Sequence, residues 1–62
     1  MAHIEASFFN HRFDDDTFSK NMVEALTQAV ASVLGEDAAN ETAIILRGVD
    51  PAHWGYKGEL QN

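Results

Sequence analysis

No cysteine occurs anywhere in the 62 residues of the chain. That absence limits its folding options more than any residue it contains. A chain this short builds a core worth only about 3–5 kcal/mol, and the usual supplements are disulfides, a structural metal or assembly. Disulfides and thiolate zinc sites are ruled out. Assembly remains, so the expectation is one domain over residues 1–62 whose sheet is completed by other copies or by a relative.

Charge removes further possibilities. Ten Asp and Glu stand against four Lys and Arg, a net charge of −6. Phosphate backbones and anionic membrane surfaces repel such a chain, which argues against nucleic acid and membranes as partners. No apolar stretch approaches a membrane span. The first residues lack the basic and apolar segments of a secretory signal, so the expected location is cytoplasmic. A hydrophobic content of 45% argues against disorder.

Residues 2–9 alternate at period two, with Ile4, Ala6 and Phe8 on one face and His3, Glu5, Ser7 and Phe9 on the other. That spacing predicts a strand. Residues 10–16 read as a loop in which Asp15 or Asp16 caps the following helix. Over residues 17–34, Phe18, Met22, Leu26, Ala29 or Val30, and Val33 recur at steps of three and four, with Val23, Val30 and Leu34 widening the stripe. Gly35 stands where a left-handed C-terminal cap belongs. Residues 36–40 read as a short loop. Residues 41–49 read as a second strand, and the run Ile44-Ile45-Leu46 suggests burial on both faces. Asp50-Pro51 forces a turn, and residues 53–60 read as a short hairpin. The fold class is therefore α+β: β-α-β with a C-terminal β-hairpin and parallel main strands.

Three segments carry a family resemblance. They are the short first strand followed by Asn10-His11-Arg12, the helical run Ala25-Leu26-Thr27-Gln28-Ala29-Val30 ending in Leu34-Gly35, and Ile44-Ile45-Leu46 leading to Asp50-Pro51-Ala52-His53-Trp54-Gly55 and Gly58-Glu59-Leu60. Together they resemble the 4-oxalocrotonate tautomerase family. The resemblance implies a tautomerase-like subunit of a hexamer, either of identical chains or shared with a related subunit. It implies an isomerase reaction that moves a proton between carbons of a small anionic keto or enol acid such as 2-hydroxymuconate. The family's base is an N-terminal proline, its arginines bind carboxylates and stabilise the enolate, and an aromatic near the hairpin keeps the pocket apolar. No cofactor or metal is implied.

The chain departs from this pattern at two positions. Ala2, not proline, follows Met1, so removal of Met1 leaves a primary amine as the base. A free α-amine titrates at about 7.7–8.0, and an apolar pocket lowers that value. Arg12 matches the loop arginine and Trp54 the pocket aromatic, but the strand arginine falls at Ala43. Arg47 lies four residues on, about 13 Å along a strand. The expected site is thus Ala2 and Arg12 for catalysis, with Arg12 and Trp54 binding substrate, and with weak or altered activity. The alternatives are a non-catalytic subunit of a mixed tautomerase-like enzyme and a binding module for anionic metabolites.

Simpler readings stand beside these. Arg12 can pair with Asp14, Asp15 or Asp16, and Trp54 can anchor an interface. His3, His11 and His53 match no common metal spacing. Asp14-Asp15-Asp16 lacks the alternating ligands of a calcium loop. Asn40-Glu41-Thr42 fits a glycosylation pattern only by chance, and Glu5 and Ser7 belong to no catalytic triad.

Overall fold

A computed structural model describes residues 2–62. Strand β1 (His3–Phe9) runs parallel to β2 (Ala43–Val49), in register from His3 opposite Ala43 to Phe9 opposite Val49. Parallel strands need a long crossover. Helices α1 (Phe18–Leu34) and α2 (Glu36–Asn40) provide it. Strands β3 (Gly55–Tyr56) and β4 (Glu59–Leu60) pair antiparallel at the C-terminus. The α+β plan expected from the sequence, β-α-β with a terminal hairpin, is the plan observed.

The alternation in β1 survives folding. Ile4, Ala6 and Phe8 are half-buried, while His3, Glu5 and Ser7 are exposed. Ile4 stands beside Ile44 and Ala6 beside Leu46 in the ladder, making one apolar face. Phe18, Met22, Leu26 and Val30 of α1 are half-buried with it. Three expectations need correction. Val33 is 81% exposed, and of the row expected to widen the stripe Leu34 and Val23 are exposed as well. The half-buried face drifts to Thr27 and Ala31 in the later turns of α1, which pack on α2 instead of continuing along the sheet. Residues 36–40 form a helix, not a loop. Gly35, at φ +91°, ends α1 by donating its N–H to the Ala31 carbonyl at 2.9 Å. Its own carbonyl accepts from the Ala39 N–H at 3.1 Å and so begins α2. Ala38 and Ala39 favour helix, and Glu36 and Asp37 suit its first turn. Finally, the outer face of β2 is covered only at its end: Ile45 is 41% exposed, while Val49 is half-buried and Phe9 beside it packs against Trp54.

The core is correspondingly thin. Ala39, at 4% exposure, is the only residue enclosed on all sides among those described. The radius of gyration is 14.0 Å, against about 10.6 Å for a compact chain of this length. The accessible surface is 4750 Å², against about 4000 Å² for a folded monomer of this mass. The excess of roughly 750 Å² is close to what one partner buries in a standard protein interface. No helix is long and apolar enough to cross a membrane.

Candidate functional site

Between the end of β1 and the start of α1 the chain makes a 3-10 turn, Asn10–Asp14. Three phenylalanines hold it in place. Phe18 meets Phe8 edge-on with ring centroids 5.2 Å apart, and it meets Phe13 edge-on at the same distance. Such pairs add about 0.5–1.5 kcal/mol each beyond the area they bury. Phe13 lies over Gly48 of β2. A Cβ placed at Gly48 would stand 3.0 Å from Phe13 Cδ2 and 3.3 Å from the Asn10 Cα. Glycine at this position is what lets the turn approach the sheet so closely.

The turn and α1 border an open cavity of about 390 Å³, lined by Phe8, His11, Arg12, Asp15, Phe18 and Met22. Its volume lies within the range of small-molecule sites. Phe8, Phe18 and Met22 make the apolar walls, and His11, Arg12 and Asp15 bring the polar groups. Arg12 is exposed and forms no salt bridge among the described residues. Pairing with Asp14, Asp15 or Asp16, the simpler reading of this arginine, is not formed. An unpaired guanidinium offers five N–H donors in a fork that matches a carboxylate.

Asp15 is committed differently. Its Oδ1 accepts from the Thr17 backbone N–H at 2.9 Å and from the Thr17 hydroxyl at 2.8 Å. The backbone bond, then the hydroxyl bond, favour the carboxylate and hold its pKa below the ordinary 3.8. Asp15 thus closes a turn before α1, and the expected Asp15 or Asp16 cap is not formed, since the N-cap is Thr17 and it has no side-chain cap bond. The helix itself begins one residue after Thr17.

Trp54 does not line the cavity. It is half-buried and packs edge-on against Phe9, centroids 4.7 Å apart, and Phe9 in turn lies 6.2 Å from the His11 ring. An aromatic row therefore runs from the base of the hairpin to the cavity rim. Ala2 stands beyond the opposite end of β1, where its carbonyl accepts from the Ala43 N–H at 3.0 Å. The strand between Ala2 and Arg12 is about 20 Å long. One chain does not bring them together. Met1, whose removal the Ala2 reading requires, lies outside the described residues.

Ala43 opposes His3 in the ladder. Arg47, on the same face as Ala43, is engaged by Glu5 in an exposed ion pair, and His3 Nε2 lies 3.6 Å from the other Glu5 oxygen. His3, His11 and His53 sit on three separate elements, and no group of three metal-ligating side chains converges among the described residues. Sequence reasoning had no place for His11 and Asp15 as cavity residues. The signal was their position flanking Arg12, on the turn between an apolar strand and an apolar helix stripe.

Comparison with known proteins gives one match. The family model for tautomerase enzymes covers residues 5–61. No curated protein matches the chain, and no solved structure does.

Proposed function

The chain belongs to the tautomerase family, and from that premise we propose that it is an isomerase-type subunit acting on a small anionic keto or enol acid. The observation that carries this reading is Arg12, unpaired beside a cavity with apolar walls. In it Arg12 holds the substrate carboxylate and stabilises the enolate oxygen that develops as the proton moves. Electrostatic stabilisation of that kind is commonly the largest single contribution to such a barrier. The Ala2 amine, freed by removal of Met1, takes the proton from one carbon and returns it to another. A low-dielectric cover would depress its pKa toward neutrality. Trp54 contributes an apolar wall from a neighbouring copy.

Assembly is part of the proposal. The uncovered sheet face, the surface excess and the separation of Ala2 from Arg12 all favour a site built between subunits, in a hexamer of identical or related chains. The reading places the assembly in the cytoplasm. Ala2 and Ala43, standing where the family has proline and arginine, favour a second reading. In it this chain supplies structure and Arg12 to a site whose proline comes from a relative.

The test is the ketonisation rate of an enol monocarboxylate, with dianionic 2-hydroxymuconate measured beside it, using the purified chain, its intact mass determined in the same preparation. Acceleration above buffer, lost on blocking the amine and in Arg12→Ala, supports the first reading. Activity unchanged by Arg12→Ala overturns the role of Arg12. No acceleration, with activity restored by co-expression with a proline-bearing relative, moves the assignment to the second reading. Ala2→Pro separates the two defects. A gain in rate leaves the amine as the shortfall, and no gain points to Ala43.

A further inference from the structure

We infer that the cavity between β1 and α1 selects monoanionic carboxylates with an apolar body, and that Asp15 is the residue that turns dianions away. The inference rests on the proposed reading of Arg12 as the group that holds an anion. Three observations carry it.

Size is the first. The cleft of about 390 Å³ is small and open on one side, and Arg12 and Asp15 line it three positions apart on one turn. A second carboxylate on a ligand held inside it by Arg12 therefore stays within about one Debye length of Asp15 at physiological salt. Screening does not remove the repulsion at that range.

Fixation is the second. A carboxylate on a free side chain would swing away from an incoming anion. Asp15 is held by two hydrogen bonds from Thr17, one of them from the backbone. Its charge stays at the cavity wall. Asp14 and Asp16 flank it in the same turn and carry the same sign.

The third observation is that no cation pairs with it: Lys20, on α1, is exposed, does not line the cavity and forms no salt bridge among the described residues. His11 and Arg12 are the only basic residues on the cavity wall. Arg47 is engaged by Glu5 on the sheet. Lys57 lies over the Tyr56 ring in the hairpin, 5.5 Å from its centroid. The position matched to a second carboxylate clamp is Ala43, which carries no charge. One anionic head has donors in Arg12 and His11, and the remaining walls, Phe8, Phe18 and Met22, fit a hydrocarbon body.

The experiment compares benzoate with terephthalate, the same ring with one or two carboxylates. Each is titrated into the purified full chain at pH 7 and followed by NMR chemical shifts. Benzoate is expected to bind about fivefold more tightly, the size of one like-charge contact at about 4 Å in the dielectric of water, because Asp15 is exposed. Asp15→Asn retains an oxygen acceptor for Thr17 and should bring the two affinities within about twofold. Thr17→Val keeps the charge and its backbone bond and removes only the hydroxyl bond, so its ratio should stay close to that of the unmodified chain. Asp37→Asn, on α2 and away from the cavity, changes net charge equally and should leave the ratio as in the unmodified chain. Arg12→Ala should weaken both ligands. Equal binding of the two acids, or a ratio that Asp37→Asn shifts as much as Asp15→Asn, overturns the role of Asp15. Loss of both ligands in Arg12→Ala would then leave the Arg12 reading standing. Failure of the unmodified chain to bind either acid overturns both.

Discussion

Gly48→Ala offers a test in which two effects oppose each other and the structure says which wins. In an ordinary strand this change is favourable by about 0.5–1 kcal/mol, because alanine has less unfolded-chain entropy to lose. Gly48 is not in an ordinary place. The added methyl would sit 3.0 Å from Phe13 Cδ2, 3.2 Å from Phe13 Cε2 and 3.3 Å from the Asn10 Cα. The ring cannot swing freely, since it also meets Phe18 edge-on. The Asn10 contact is backbone and yields only if the whole turn moves. Overpacking of this kind costs about 1–3 kcal/mol. The expected net result is a loss of about 1–2 kcal/mol, read by urea denaturation at fixed protein concentration. The same displacement moves the turn that carries Arg12, so benzoate should bind more weakly. Phe13→Leu removes ring atoms from the contact, and in that background Gly48→Ala should cost at least about 1 kcal/mol less. A stabilising Gly48→Ala, or costs that simply add in the double variant, would refute the reasoning.

Three further outcomes are expected. Asp15 has a lowered pKa in the folded chain. Its contribution to stability is complete above the ordinary 3.8 and fades as the pH falls through the lower folded value. The unmodified chain should therefore lose stability relative to Asp15→Asn on acidification below about pH 4, in a series of denaturation curves. Lys57 holds φ +53° in the two-residue turn of the hairpin, beside Gly58 at φ +81°. Lys57→Asn supplies the Asn-Gly pair such turns prefer and should stabilise the chain by about 0.5 kcal/mol in the same assay. The Glu5–Arg47 pair is exposed in the single chain, so Arg47→Met should cost less than about 1 kcal/mol at dilutions where copies separate. A larger cost at assembling concentrations is expected, and a cost independent of concentration would count against cover on that sheet face.

Local chemistry made much of this fold readable. Period-two alternation placed β1, the three-four spacing placed α1, and Gly35 marked where it stops. The misreadings have a common cause. Val33 has the right spacing for the stripe, but periodicity does not say how far the neighbouring surface extends. Ile45 belongs to an unbroken apolar run, yet a run of residues cannot reveal that no described element covers its outer face. Residues 36–40 read as a loop between two stronger signals, although Ala38-Ala39 favours helix. The site was legible only in part for a related reason. Arg12 was identified by its place in a motif. Asp15 and His11 acquire their roles from the way the turn folds against Phe8 and Phe18, which no spacing rule encodes.

The separation of Ala2 from Arg12 and the thinness of the core are two views of one geometry. A two-stranded sheet has two open edges and, with helices on one side, one open face. Unpaired strand edges attract further strands. Antiparallel pairing of like edges about a two-fold axis sets the N-terminal end of each copy beside the C-terminal end of its partner's strand. On the proposed reading, that operation extends the sheet and carries Ala2 of one copy toward the Arg12 turn of the other. A third residue from a further copy, Trp54 in this reading, then needs contact through the remaining face, where Ile45 and the Glu5–Arg47 pair are exposed. Site and core are thus expected to fail together. A variant that keeps the chain monomeric should lose activity even with Ala2, Arg12 and Trp54 all intact.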